Sequence, residues 1–160
     1  MDTYWQLDNI NIKYPIITHE WENMPTFLNP YIAFKDNTRQ SIEFCQSIFG
    51  GELQMNTFKE FHASMSSADD NLIMHAVLKA VSGIVLMAED RSERTEYKPG
   101  TNISMLRSGE DEDELKGYFQ KLSEGRMVSM PLEKQVWRDV FGMVTDRFGV
   151  GWMVNINAQK

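Results

Sequence analysis

Cysteine is almost absent from this sequence. Cys45 is the only one in 160 residues, which excludes a disulfide within the chain. It falls on the apolar side of a predicted helix, and that position favours a buried, unreactive thiol over a nucleophile. Long apolar runs are absent too, since none approaches the roughly 20 residues that a helix needs to cross a bilayer. We therefore expect no membrane association.

Positive charge is scarce as well. Lys and Arg together number 16 against 23 Asp and Glu, so the net charge is −7. No basic patch interrupts this balance. Because a nucleic-acid surface needs such a patch, the composition argues against nucleic acid as a partner.

Several functional motifs are missing. The sequence has no Gly-rich phosphate loop, no nucleophile elbow and no Cys/His spacing of a metal site. The sequence therefore lacks the motifs that usually indicate nucleotide binding or acyl-enzyme chemistry. We expect no cofactor. The N-terminus also lacks the basic and then apolar segments of a secretory signal. We expect a cytoplasmic protein.

The composition that is present is that of a globular protein. Apolar residues make up 42% of the chain and charged residues 24%, which is ordinary for such a protein. A chain of this length buries roughly 70% of its unfolded surface. We expect one domain, or two small modules that share a core.

The stretch 141–155 reads as a β-hairpin. Asp146 opens its turn, where the side chain can bond the backbone two residues on, and Gly149 supplies a positive φ. Both flanks are rich in Val, Phe, Trp and Met, which suit a half-buried strand. The sequence therefore predicts two antiparallel strands here.

The hairpin pattern occurs a second time, in Ser82-Gly-Ile-Val-Leu-Met87. Gly83 of this stretch matches Gly149 of the hairpin. In the same alignment, Met87 matches Met153. The repeat suggests that the chain is built twice from one unit.

Each unit is predicted to have the order β-α-β-β-β. The first unit has strands at 28–34, 52–58, 71–79 and 84–88. Its helix begins at a capping box of Asn37 and Gln40 and ends at Gly50 and Gly51. The apolar side of this helix comprises Ile42, Cys45, Ile48 and Phe49. The second unit has strands at 101–106, 127–130, 136–144 and 150–156 and a helix over 108–124 with Leu115, Tyr118, Phe119 and Leu122 on one side. The acidic run 110–114 lies in the first turns of that helix, where carboxylates interact favourably with the positive end of the helix dipole. A calcium site is the poorer alternative, because the loop glycine and the alternating oxygen ligands of a calcium loop are absent.

These elements predict the organisation of the chain. It comprises an N-terminal extension over 1–26, a first module over 27–90, a linker over 91–100 and a second module over 101–160. The two modules form one structural domain.

The repeated module resembles that of the vicinal oxygen chelate superfamily, which includes glyoxalase I, bleomycin-resistance proteins and extradiol dioxygenases. The similarity is closest to the PhnB-like branch, over about residues 27–157. It rests on Pro30–Phe34, Ser41–Gly51, Met74–Leu78, Leu86–Asp90, Met130–Leu132 and Phe141–Asn155. One departure is Arg138, where a glycine commonly follows Trp137.

The resemblance implies an α+β fold in which two tandem βαβββ modules form a curved, cup-like mixed or antiparallel sheet with helices on its outer face. The pocket is the concavity of that cup. Metal-using members take four ligands from the first and fourth strands of each module, and the matching places here fall near Tyr31, Met87, Asn102 and Met153. None is a His, Asp or Glu, so the resemblance implies no metal site.

Further pocket candidates leave two interpretations open. His75 shares a strand face with Ile73 and Val77, and it is either a satisfied structural histidine or a pocket acid, base or ligand contact. Trp137, Phe141 and the methionines are either simple core or a ligand-stacking surface. The predicted pocket comprises Tyr31, His75, Met87, Asn102, Trp137, Phe141 and Met153.

Three functions remain open. The first is metal-free binding of a small, largely apolar or aromatic ligand. The second is an enzyme of this superfamily that uses groups such as His75, Glu89 or Asp139 or an unplaced metal site. The third is an interaction protein whose own side chains fill the cup. In each case we expect a homodimer, because open sheets leave long edges that a second copy can cover.

Overall fold

The structure is a computed structural model that describes residues 27–92 and 94–158. The predicted N-terminal extension over 1–26 lies outside these residues. The described elements are β1 (Tyr31–Phe34), α1 (Thr38–Phe49), β2 (Glu52–Thr57), β3 (Ile73–Lys79), β4 (Val85–Asp90), β5 (Met105–Gly109), α2 (Glu112–Ser123), β6 (Val128–Lys134), β7 (Val140–Thr145) and β8 (Gly151–Ile156).

The strands form two four-stranded sheets, in the orders β1-β4-β3-β2 and β5-β8-β7-β6. In each sheet the first and fourth strands of a module are parallel, and the remaining neighbours are antiparallel. The predicted α+β fold of two tandem βαβββ modules with mixed sheets is confirmed.

One helix packs against each sheet. In α1 the predicted apolar side is buried, and in α2 the predicted stripe of Leu115, Tyr118, Phe119 and Leu122 is buried as well. Cys45 is 3% exposed. Burial, with a smaller contribution from the carboxylate of Asp146, raises the pKa of the Cys45 thiol to about 12. The thiol is therefore protonated at neutral pH, as expected of an unreactive cysteine.

The start of α1 differs from the prediction. The helix does begin after Asn37, but that side chain forms no capping hydrogen bond, so the capping box is wrong. Asp90 takes this role from the end of β4. One carboxylate oxygen accepts from the Thr38 amide at 2.9 Å, and the other accepts from the Ile73 amide at 2.8 Å. This buried carboxylate joins the helix to the sheet, which local sequence cannot reveal.

The first strand and the helix of the second module begin later than predicted. Its first strand is Met105–Gly109 and not 101–106, and its helix starts at Glu112 and not at 108. The Asp111 side chain caps that helix by accepting from the Glu114 amide at 3.0 Å. Ser108 and Gly109 look like turn residues, yet they pair with β8, because neighbouring strands override weak local preference.

The predicted hairpin turn is confirmed. Gly149 has a φ of 86° and Gly83 a φ of 81°, so both occupy the left-handed region that the repeat requires. Asp146 is 2% exposed and accepts from the amides of Phe148 and Val150 and from the indole of Trp152. The turn carboxylate thus fixes both the hairpin and a core tryptophan.

The two modules share one core on their helix sides. The Phe49 ring lies 5.0 Å from that of Tyr118 and 5.3 Å from that of Trp152, and the rings of Phe44 and Phe148 are 5.6 Å apart. The strand faces turned away from the helices take no part in this core. Within residues 27–92 and 94–158, no helix is long and apolar enough to span a membrane.

Candidate functional site

The first strand face lies on the side of the sheet away from α1. Along β4, Leu86 and Ala88 are buried in the core and Met87 between them is only partly buried. Met87 pairs with Tyr31 on one side and with Val77 on the other. Because side chains alternate across a strand, these three lie together on the face opposite the helix. This face is the inner surface that the resemblance assigns to the cup.

A polar cluster crosses this face. The Tyr31 hydroxyl lies 3.1 Å from Nδ1 of His75 and 3.3 Å from Oε2 of Glu89. The Tyr31 and His75 rings are stacked, with centroids 5.7 Å apart and an interplanar angle of 26°. Oε1 of Glu89 forms an ion pair with Arg91 at 3.2 Å. The cluster therefore joins three strands and the residue after β4.

The surroundings set the protonation of the cluster. Partial burial, with a smaller contribution from the nearby Glu89 carboxylate, raises the pKa of Tyr31 to about 12. Burial lowers the pKa of His75, while Glu89 opposes that shift. At neutral pH the phenol therefore keeps its proton and the imidazole is uncharged, so both remain hydrogen-bonding groups that can act on a ligand.

The second strand face, on the other sheet, is apolar around Met153. Met153 pairs with Leu106 on one side and with Met143 on the other. The Phe141 ring meets the Trp137 ring edge to face at a centroid distance of 6.0 Å. Flexible methionines and rings of this kind suit an adaptable surface for an apolar ligand.

Asp139 lies outside the polar cluster and forms no pair with His75 or Glu89. Its carboxylate accepts from the side-chain amide of Asn155 and from the backbone amide of Ala158, both at 2.9 Å. These two bonds, in that order of importance, lower the pKa of Asp139. It anchors the end of the chain after β8, so the structure separates it from His75 and Glu89.

Asn102 lies off the strand to which the sequence assigns it. Because β5 begins at Met105, Asn102 is on the exposed connection before the strand. The pairing of Tyr31 with Met87 is matched in the second module by the pairing of Leu106 with Met153. The position that corresponds to Tyr31 is therefore Leu106, which the sequence cannot place without the strand boundary.

The predicted pocket residues form two separate groups. Tyr31, His75 and Met87 share the first strand face, and Phe141 and Met153 share the second, with Trp137 beside them. Within the described part of the chain, no hydrogen bond, ion pair or ring contact joins the groups.

Two cavities lie elsewhere. The first, of about 500 Å³, is lined by Lys35, Asp36, Ala68, Asp69, Leu72, Arg91, Ser92, Thr95, Glu96 and Tyr97. The second is an open groove of about 680 Å³ beside α1, lined by Asn37, Gln40, Glu43, Phe44, Ser47, Arg126, Arg147 and Phe148. Neither includes a predicted pocket residue, but Arg91, the ion-pair partner of Glu89, lines the first cavity.

The residues at the positions where the resemblance implies metal ligands do not fit a divalent ion. Tyr31, Met87, Leu106 and Met153 supply one phenol and two thioethers, whereas zinc, iron and magnesium bind imidazole, carboxylate or thiolate groups. Over residues 27–92 and 94–158, no three His, Cys, Asp or Glu side chains are grouped in a way that could hold a metal ion.

Comparison with known proteins identifies the family. The family model described as 3-demethylubiquinone-9 3-methyltransferase matches residues 27–155. The chain belongs to this family. It is similar to protein PA1353 from Pseudomonas aeruginosa, with 34% identity and a TM-score of 0.70 over 82% of this chain and 98% of that chain. The predicted family is thereby confirmed.

Two further structures share the fold of this family member. A PhnB protein from Bacillus cereus is 21% identical, with a TM-score of 0.63 over 82% of this chain and 100% of that chain. A glyoxylase/bleomycin resistance protein/dioxygenase domain from Frankia sp. EAN1pec is 13% identical, with a TM-score of 0.56 over 84% and 99% of the two chains. The chain thus shares the fold of these two proteins.

The sequence alone does not predict the connection between Tyr31, Glu89 and Arg91. A signal for part of it was present, because Glu89 stands two residues after Met87 and must share its strand face. Arg91 follows the strand, and only the structure shows that it turns back to Glu89.

Proposed function

We propose that the protein binds a small, largely apolar or aromatic molecule on its strand faces without a bound metal. The observation that carries this proposal is the cluster of Tyr31, His75 and Glu89, which places hydrogen-bonding groups beside the apolar Met87 and Val77. A surface of this composition can hold an apolar body and orient one polar group. The proposal assigns no methyl transfer to the chain.

The proposed binding unit is a homodimer. Large side chains on or beside the strand faces are exposed in one chain, among them Tyr31 at 48%, Leu106 at 58% and Trp137 at 53%. A second copy that covers these faces would bury apolar area and enclose a cup between the chains. We place this dimer in the cytoplasm, as the sequence leads us to expect.

A thermal-shift screen of small aromatic compounds tests the binding proposal. A ligand at 100 times its dissociation constant stabilises a protein by roughly 2.7 kcal/mol. His75→Asn should lose this stabilisation, because it removes the imidazole from the face. His62→Asn is the matched control, since His62 is exposed on a loop and its φ of 53° suits asparagine.

The two outcomes separate clearly. Compounds that stabilise the wild type and His62→Asn but not His75→Asn support the strand face as the site. Equal stabilisation of all three proteins would place binding elsewhere, and the two cavities away from the strand faces would become the candidates.

An enzyme remains the second candidate, favoured by the uncharged imidazole of His75 beside a phenol. Compounds found in the screen are incubated with the protein and the mixture is analysed by mass spectrometry. A changed product mass that depends on His75 would favour catalysis, and unchanged compounds would favour binding alone.

A further inference from the structure

The Tyr31, His75 and Glu89 cluster has one favourable arrangement of protons. The Glu89 carboxylate can only accept, and its ion pair with Arg91 is an interaction of the charged form. The 3.3 Å contact between Tyr31 and Glu89 is therefore attractive only when the phenol donates to the carboxylate. If Tyr31 donated to His75 instead, a phenol lone pair would face the negative oxygen.

This arrangement fixes the imidazole as well. Once the Tyr31 proton points to Glu89, the 3.1 Å contact with Nδ1 of His75 is a hydrogen bond only when Nδ1 carries the proton. An uncharged imidazole has one proton, so Nε2 must then be bare. The chain of donors runs from His75 through Tyr31 to Glu89.

The bare nitrogen is open to a ligand. The buried side-chain nitrogen and oxygen atoms without a partner in the described residues are Thr38 Oγ1, Ser64 Oγ, Ser82 Oγ and Arg107 Nε. Nε2 of His75 is not among them and has no hydrogen bond to a described residue, so this atom is not fully buried. On the adjacent strand His75 pairs with Asn56, which is uncharged.

We propose that Glu89, acting through Tyr31, holds His75 as the tautomer protonated on Nδ1, so that Nε2 accepts a hydrogen bond from the ligand. The site then selects molecules that present an O–H or N–H donor beside an apolar or aromatic body. This selection of ligands rests on the proposed binding function, whereas the tautomer of His75 does not depend on that function. Tyr31 and Glu89 are positioning residues in this account, and His75 is the group that contacts the ligand.

The tautomer is measured first, without a ligand. Long-range ¹H–¹⁵N correlation spectra of the full chain labelled at histidine distinguish a protonated Nδ1 from a protonated Nε2. His75 is assigned by the signals lost in His75→Asn. We expect a protonated Nδ1 and a bare Nε2 at neutral pH. A protonated Nε2 in the wild type would overturn the proposal.

Two variants test the relay, which is the chain of hydrogen bonds from His75 through Tyr31 to Glu89. In Glu89→Gln the new amide can donate to the phenol oxygen, so Tyr31 can donate to Nδ1 and the proton of His75 should move to Nε2. In Tyr31→Phe the link is cut, and the His75 signals should approach those of the exposed His62. Signals of His75 that stay unchanged in both folded variants would show that the relay does not hold the tautomer.

Ligand selection is measured with phenol and its methyl ether, anisole. They have the same ring, but only phenol can donate to Nε2. We expect phenol to bind the wild type about fivefold more tightly than anisole. Phenol should also shift the ¹⁵N signal of Nε2. The Glu89→Gln variant should lose the preference for phenol. Equal binding of the two probes would overturn the selection and leave the proposed binding function standing. If neither phenol nor anisole bound, this result would contradict the ligand selection and count against an aromatic ligand. The tautomer spectra would still decide whether the relay holds the His75 tautomer.

Discussion

Asp146 offers the sharpest test of how the repeated hairpin is held. Its carboxylate accepts from the Phe148 amide at 2.9 Å, the Val150 amide at 3.0 Å and the Trp152 indole at 2.9 Å. The side chain is 2% exposed, so water cannot replace these bonds. The informative change is Asp146→Asn, which keeps the shape of the side chain and removes its charge and one acceptor.

The magnitude follows from the three bonds. The asparagine oxygen can still accept from the two backbone amides, but its amide group then faces the indole of Trp152, which is also a donor. Loss of one hydrogen bond to a charged acceptor costs about 1.5–3 kcal/mol. The two remaining bonds weaken from charge-assisted to neutral, at about 0.5 kcal/mol each. We expect a decrease of about 3 kcal/mol in the free energy of unfolding.

Urea denaturation followed by tryptophan fluorescence measures this change. The midpoint should fall while the slope with denaturant stays constant, because the variant keeps the same fold. Asp36→Asn is the control, since Asp36 is exposed and should change the free energy of unfolding by less than about 0.5 kcal/mol. If Asp146→Asn were as mild as Asp36→Asn, the buried carboxylate would not hold the hairpin.

Three further predictions concern strain, metal and pH. Arg138→Gly should stabilise the protein by about 0.5–1 kcal/mol in urea denaturation, because Arg138 has a φ of 83°, whereas Arg138→Ala, which keeps the strained backbone, should bring no gain. A chelator should leave the melting temperature unchanged, because the residues at the family's metal positions supply no suitable donors; a fall in that temperature with about one metal equivalent per chain would contradict this. The pKa of His75 is lowered in the folded state from its usual 6.5, so the unfolded chain binds the proton first and stability should fall as pH drops below 6.5. His75→Asn should reduce that fall, and an unchanged pH dependence would show that His75 does not contribute.

Much of the fold was predictable because its signals are local. The apolar sides of both helices and the two turn glycines follow from periodicity and backbone geometry, and all are found where the sequence predicts them. The boundary of β5 was not predictable, because Ser108 and Gly109 become strand residues only by pairing with β8. The cap of α1 also comes from a distant residue, Asp90.

The candidate site was predictable only in part. The resemblance implies that Tyr31 and Met87 face inward from the first and fourth strands of one module, and the structure pairs them. The relay through Glu89 depends on side-chain directions across three strands, which periodicity does not encode. The sequence predicts Asn102 on the first strand of the second module, but that strand begins at Met105, and Leu106 occupies the position that corresponds to Tyr31.

Methyl NMR of the methionines tests the location of the proposed site most directly. Met87 and Met153 are half-buried on the two strand faces, whereas Met55 and Met105 pack against the core on the helix sides. A compound that stabilises the wild type in the thermal-shift screen is titrated into protein labelled at the methionine methyl groups. The proposed function predicts saturable shifts of the Met87 and Met153 methyl signals, with Met55 and Met105 changed far less. Shifts confined to other methionines, with Met87 and Met153 unmoved at saturation, would contradict a ligand site on the strand faces.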